Sequence, residues 1–199
     1  MNDTLTDYIA THKKTHLIFD FDATLVLMNI PWKRWGENMR QEVLDLDADL
    51  WKLYQDEQSP THMQNALVEK HGERGREILL RNCPPFELQY SDKFDRNDEL
   101  LKQVEAFREK YHMFIWSSNS SQLVNAVLED MGMNDWFDKV IARNELRFLK
   151  PSPEGFELIY DPKIPKERYL MIGDSSHDKA AAQAASIDFY FLDFFNKGR

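Results

Sequence analysis

The chain has 199 residues, 42% of them hydrophobic, which is enough for one substantial core with a smaller inserted lobe and too apolar for general disorder. A net charge of −9 argues against a nucleic-acid polymer or an anionic membrane as partner, because phosphate surfaces call for clustered Lys and Arg. The single Cys83 excludes an intrachain disulfide and a multi-cysteine zinc site, and is expected to be a small buried filler.

In chain order, the first strong signal is His16-Leu17-Ile18-Phe19-Asp20-Phe21-Asp22-Ala23-Thr24-Leu25, an apolar strand that ends in two carboxylates and a hydroxyl. Period-two geometry predicts Asp20 and Asp22 on one side of that strand. From Ile30 to about Tyr90 no period-two run occurs and helical spacing takes over. Trp32, Trp35, Met39 and Val43 fall on one stripe, and Leu50, Leu53 and Tyr54 on another. Helix-compatible pieces follow over 61–71 and 73–80, after which Pro84-Pro85 is expected to interrupt any helix.

Alternation then sets in. A helix is expected over 98–110, and a strand over 111–116 that ends in Ser117-Ser118-Asn119-Ser120, a row of donors suited to seating a phosphate where strand gives way to helix. A helix over 120–131 and a short strand over 139–142 come next. Lys150 lies in a loop and precedes Pro151, which biases it out of helical geometry, ahead of a helix over 153–159. The strand over 168–172 runs into Gly173-Asp174-Ser175-Ser176-His177-Asp178, whose two acids make a candidate site for a hard cation. A helix over 178–185 and a strand over 188–192 complete the pattern. Strands separated by helices of this length predict an α/β fold: a doubly wound, parallel-sheet, Rossmann-like core from 1–29 and 91–199, with an all-helical insertion over 30–90. Ligands then belong at the carboxyl ends of the strands, where all four polar segments fall.

Taken in order, the four segments resemble the four motifs of the haloacid dehalogenase (HAD) superfamily of phosphohydrolases. Asp20-x-Asp22-x-Thr24 matches the first, Ser117 the second, Lys150 in Lys-Pro-x-Pro the third, and Gly173-Asp174-x-x-x-Asp178 the fourth. The resemblance covers roughly residues 16 to 192. It implies that the insertion is a C1-type cap over the active site, and that Mg2+ is the cofactor, with Asp20, Asp174 and the backbone carbonyl of Asp22 as ligands. Asp178 is expected either to bind the ion or to orient its waters, or to act only as a helix cap.

Phosphoryl transfer assigns further roles. Asp20 is the expected nucleophile, forming an aspartyl-phosphate, and Asp22 the expected general acid and base for the leaving group and the incoming water. Thr24, Ser117, Ser118, Asn119 and Lys150 are the candidates for binding the phosphate, with Lys150 also restraining Asp20. Ser117 and Ser118 both remain open as the main serine ligand. Ala23 stands where many HAD phosphatases carry glycine, which removes no catalytic group. Asp22 favours phosphoryl transfer over carbon–halogen cleavage, a reaction with no oxyanion leaving group to protonate.

The expected activity is hydrolysis of a small phosphorylated metabolite, with a sugar-phosphate mutase or a non-enzymatic binding module as alternatives. Lys33 and Arg40 are candidates for substrate specificity, against the plainer reading of a solvated charge ladder with Glu37. His177 reads as a solvated loop residue, and the tryptophan stripe as core in preference to a stacking surface. No run approaches the ~18 apolar residues of a membrane span, and residues 1–15 lack the apolar centre of a secretory signal, so a soluble, cytoplasmic monomer or homodimer is expected.

Overall fold

The computed structural model describes residues 4–55 and 61–195. The chain opens with α1 (Leu5–Thr11), β1 (His16–Phe19) and β2 (Val26–Met28), and then runs through α2 (Trp32–Asn38), α3 (Arg40–Tyr54), α4 (Thr61–His71) and α5 (Glu73–Glu87). It returns through β3 (Phe94–Arg96), α6 (Asp98–Phe107), β4 (His112–Trp116), α7 (Ser121–Asp130) and β5 (Lys139–Ile141). The last elements are α8 (Glu154–Glu157), β6 (Tyr169–Gly173), α9 (Ser176–Ala185) and β7 (Asp188–Phe191).

Five strands form one parallel sheet in the order β5-β4-β1-β6-β7. Its strands are apolar on both sides because helices cover both faces, as a parallel sheet requires. Leu17, Phe19, Ile115, Leu170 and Ile172 point into a cluster with Ile9 of α1, Val104 of α6 and Val124 of α7. Ile18, Phe114, Trp116 and Met171 point the other way, onto Phe156 of α8 and Ala181, Ala182 and Ala185 of α9. From the central β1 the chain adds strands first toward β5 and then toward β7. The carboxyl end of β1 therefore lies at the topological switch point, where such sheets bind ligands.

Between the short antiparallel pair β2–β3, which extends through Asn29 N–H donating to Lys93 O at 2.9 Å, the described residues are helical apart from brief connections. The helices dock on the sheet end through named polar contacts. Asn65 of α4 exchanges two hydrogen bonds with the Leu149 backbone, at 2.8 and 3.0 Å, and Arg76 of α5 donates to Asn144 O at 2.7 Å. At Gly75 the backbones of α4 and α5 touch: a Cβ there would sit 2.3 Å from Leu67 O, so only glycine permits this packing.

Three sequence expectations need correction. α5 runs through Pro84-Pro85 to Glu87 without a break: two amide donors are lost, yet Cys83, Pro84, Phe86 and Glu87 are all buried, so tertiary packing outweighs the local penalty. The stripe from Trp32 to Val43 spans two helices that meet at Met39. Leu53 is 69% exposed, whereas Leu50 and Trp51 are buried, because α3 is kinked at Asp47, whose extended backbone rotates the face that follows. Cys83 is a buried thiol beside Met39, and burial pushes its pKa up to about 12. No helix among the described residues is long and apolar enough to cross a membrane.

Candidate active site

β1 ends at Phe19, so Asp20 and Asp22 are not consecutive positions of one strand face, and strand periodicity does not bring them together. A turn does. Ala23 adopts φ +64°, its N–H donates to Val26 O at 2.6 Å, and the chain folds back so that both carboxylates line one cavity of about 260 Å³. Alanine pays a steric penalty in this left-handed region where glycine would not, which gives the Ala23 departure its physical content. The Met28 N–H donates to Asp22 Oδ1 at 2.8 Å and fixes that carboxylate.

Lys150 reaches the same place from the loop before α8. Its Nζ donates to Asp20 Oδ1 and to Asp178 Oδ1, each at 2.5 Å, and to Trp116 O at 3.0 Å. Burial works against this ammonium, but Asp178 and Asp20 outweigh it and hold the lysine pKa above its ordinary range. Burial is also the main cause of the raised carboxyl pKa values. It acts with the Asp178 charge on Asp20, which rises to about 8 against the opposing pull of Lys150, and with Asp178 on Asp174, which rises to about 6. Asp22 rises to about 7, chiefly through burial and against the Met28 hydrogen bond. A carboxyl poised near neutrality is suited to both donating and accepting a proton.

Asp178 is not the cap of α9. Ser175 is, with its hydroxyl accepting from Asp178 N–H at 3.2 Å, while Asp178 Oδ2 accepts from Ser175 N–H at 3.1 Å in a reciprocal capping box. Gly173 matters here by close approach and not by turn geometry, since a Cβ would fall 2.7 Å from Asp178 Cγ. Oxygens of Asp20, Asp174 and Asp178 all lie within 4.8 Å of one another, a set of hard donors that suits Mg2+ or another hard divalent cation. The Asp22 side chain is not part of that set.

The candidate phosphate ligands separate. Ser118 and Asn119 line the cavity. Ser117 is wholly buried, its hydroxyl donating to Asn119 Oδ1 at 3.0 Å and accepting from Asn119 N–H at 3.1 Å. Thr24 is likewise wholly buried. Its hydroxyl faces Asp20 Oδ2 at 3.2 Å and Asp174 Oδ1 at 3.4 Å, so it orients carboxylates and does not line the cavity; Asn97 Nδ2 donates to Thr24 O at 2.9 Å and anchors it. Lys33 of α2 and Arg40, the first residue of α3, are exposed and lie off the cavity; the face of α2 that turns inward carries Trp32 and Trp35.

Trp32, Thr61 and Gln64 line the cavity from the helical insertion, and Arg143 and His177 from the sheet end. Sequence reasoning missed Gln64 and Arg143. Arg143 directly follows the expected strand over 139–142, at the ligand-binding end of the sheet, and that position was the available signal. Its buried guanidinium pairs with buried Glu87 of α5, Nη1 to Oε1 at 2.5 Å. Glu87 also accepts from Trp35 Nε1 at 3.2 Å and Ser120 N–H at 2.8 Å, and so ties insertion to core. His177 stands in the first turn of α9, with its Nε2 3.1 Å from His62 Nε2 of α4.

A parallel α/β sheet whose strand ends converge on buried carboxylates and a buried lysine defines an enzyme of the Rossmann-like class. The chain belongs to the haloacid dehalogenase-like hydrolases, whose family model matches residues 17–192. It is 26% identical over 188 residues to pyrophosphatase PpaX of Listeria innocua, covering 88% of this chain and 81% of that one. To fructose-1-phosphate phosphatase YqaB of Escherichia coli it is 24% identical over 198 residues, covering 94% and 90%. Among solved structures, a HAD family enzyme from Bacteroides thetaiotaomicron, in complex with magnesium and inorganic phosphate, superposes with a TM-score of 0.55 at 18% identity, covering 94% of this chain and all of that one. A haloacid dehalogenase-like hydrolase from Bacteroides fragilis gives 0.60 at 22% identity, covering 88% and 86%.

Proposed function

We propose that this hydrolase is a Mg2+-dependent phosphatase of small phosphate monoesters that works through an aspartyl-phosphate on Asp20. The observation that carries the reading is the juxtaposition of Asp20, Asp22, Lys150 and Asp174 around one small cavity. The names of the relatives, a pyrophosphatase and a sugar-phosphate phosphatase, agree with phosphoryl chemistry.

Asp20 attacks phosphorus while Asp22 gives its proton to the departing oxygen; Asp22 then takes a proton from the water that cleaves the acyl phosphate. Lys150 holds Asp20 in place and offsets charge on the transferring group. Ser118 and Asn119 provide donors from the carboxyl end of β4. Mg2+, held by Asp20 and Asp174 with Asp178 beside them, would supply charge neutralisation at the phosphate. Burial and the Asp178 charge push Asp20 toward protonation, Lys150 favours its ionised form, and a divalent cation held by these carboxylates would favour that form further. The helical insertion over 30–90 acts as a cap that excludes water and contacts the leaving group.

A phosphate-release screen over sugar phosphates, nucleotides, short-chain acid phosphates and an aryl phosphate, with Mg2+ and with a chelator, tests the proposal. Metal-dependent release from several monoesters is expected. Isomerisation of a sugar phosphate without release would favour a mutase, and inertness toward every ester would leave a binding module.

A further inference from the structure

We infer that His62 and His177 form a second metal site, a two-imidazole clasp for a borderline divalent ion such as Zn2+, Ni2+ or Cu2+, which ties the helical insertion to the sheet at the mouth of the cavity. This goes beyond the phosphatase reading and does not depend on it.

Geometry carries the site. His62 is the second residue of α4 and His177 the second residue of α9, so the two rings come from opposite lobes. Their Nε2 atoms lie 3.1 Å apart. The ring centroids are 5.0 Å apart, less than the Nε2 separation plus two ring radii, so the rings meet obliquely and do not point straight at each other. An ion at the ordinary zinc–nitrogen distance from both would see them at about 95–100°, a bite between octahedral and tetrahedral. The frame is set before any ion arrives. Asn65, three residues on from His62, exchanges two hydrogen bonds with the Leu149 backbone, and the reciprocal capping of Ser175 and Asp178 fixes the first turn of α9.

Chemistry selects the ion. As neutral rings, the pair shares one hydrogen between its Nε2 atoms. Moving that hydrogen to Nδ1 of the same ring leaves two lone pairs for one ion, with no net proton gained or lost. Imidazole suits Zn2+, Cu2+ and Ni2+, whereas the oxygens of Asp20, Asp174 and Asp178 suit Mg2+, so the two sites sort metals by donor type. The first turn of each helix carries roughly half a positive charge, which works against any cation, so only an ion with strong coordinate bonds to nitrogen overcomes it. His62 is exposed and His177 half-buried, so the ion enters from solvent and water completes its coordination. With a ligand from each lobe, the bound ion slows any step that needs the lobes to part.

The test is calorimetric titration of the untagged full-length protein with Zn2+, in excess Mg2+ so that the carboxylates are occupied. One Zn2+ should bind, His62→Ala and His177→Ala should each weaken it about ten-fold or more, and Asp174→Asn should leave it unchanged. Cu2+ in place of Zn2+ should show electron-spin coupling to two imidazole nitrogens in wild type and to fewer in His62→Ala. Zn2+ should also slow hydrogen exchange in α4 of wild type and not of His62→Ala. Zn2+ bound equally by wild type and His62→Ala, or lost only in Asp174→Asn, would overturn the site, and bound Zn2+ with unchanged exchange would overturn the clasp. Mg2+ binding kept by both histidine variants verifies their fold. None of these readouts uses turnover, so a failure of the phosphatase reading shows separately, in the phosphate-release screen.

Discussion

Lys150 Nζ lies 2.5 Å from Asp20 Oδ1, with both side chains buried, and this one contact joins the loop before α8 to the end of β1. Removing the ammonium strands two carboxylates. Lys150→Ala should lose about 3–5 kcal/mol of stability above about pH 8, where Asp20 is ionised, as breaking buried pairs does. The loss should shrink as pH falls and protonation removes the unpaired charge. Denaturant titrations at two pH values check this, and a loss independent of pH would argue against the pair as its source.

The raised carboxyl pKa values set a direction for pH dependence. With Asp20 near 8, Asp22 near 7 and Asp174 near 6, the metal-free folded protein holds more protons than the unfolded chain between about pH 4 and 8. Stability of the metal-free protein should therefore fall as pH rises through that window. Mg2+ needs the ionised carboxylates, so its effect on Tm should grow from pH 5 to pH 8. Asp174→Asn should weaken Mg2+ binding by calorimetry and raise the metal-free Tm at pH 8. A Mg2+ response that ignores pH would contradict the assignment.

Much of this site was legible in the sequence because the chemistry sits at strand ends. Apolar runs locate strands, and the polar residues that follow them locate ligands, which is how Asp20 and Asp174 emerge; Lys150, in a loop, emerges from its Lys-Pro-x-Pro setting. What stayed hidden is tertiary in origin. Thr24 and Ser117 carry the right hydroxyls, but burial turns them to Asp20 and to Asn119, and no spacing rule reveals which way a hydroxyl faces. The pairing of Glu87 with Arg143 joins residues 56 positions apart across two layers. Lys33 and Arg40 stand out in the sequence by charge alone, yet the inward face of α2 belongs to tryptophan and Arg40, at the start of α3, is exposed. Pro84-Pro85 shows local propensity overridden by the burial of the residues around it.

Asp22→Asn should slow esters with poor leaving groups far more than activated aryl phosphates, since only the former need a strong proton donor in the first step. Pre-steady-state release of the two alcohol products separates the cases. Equal losses in that first step would remove Asp22 from the acid role.

Gly75→Ala inserts a methyl 2.3 Å from Leu67 O and should cost about 1–3 kcal/mol through overpacking of α4 against α5. Hydrogen exchange should quicken in those two helices and stay slow in β1, β4 and β6. Unchanged exchange in α4 and α5 would show that the two backbones have room to separate without loss.

The central claim is that Asp20 is the nucleophile, and the most direct measurement is Mg2+-supported phosphate release from an aryl phosphate by wild type and by Asp20→Asn. The amide fills nearly the same volume and keeps the fold, so turnover should drop to background, a loss on the order of 10³-fold or more. A folded Asp20→Asn protein that kept a substantial fraction of wild-type turnover would contradict the account.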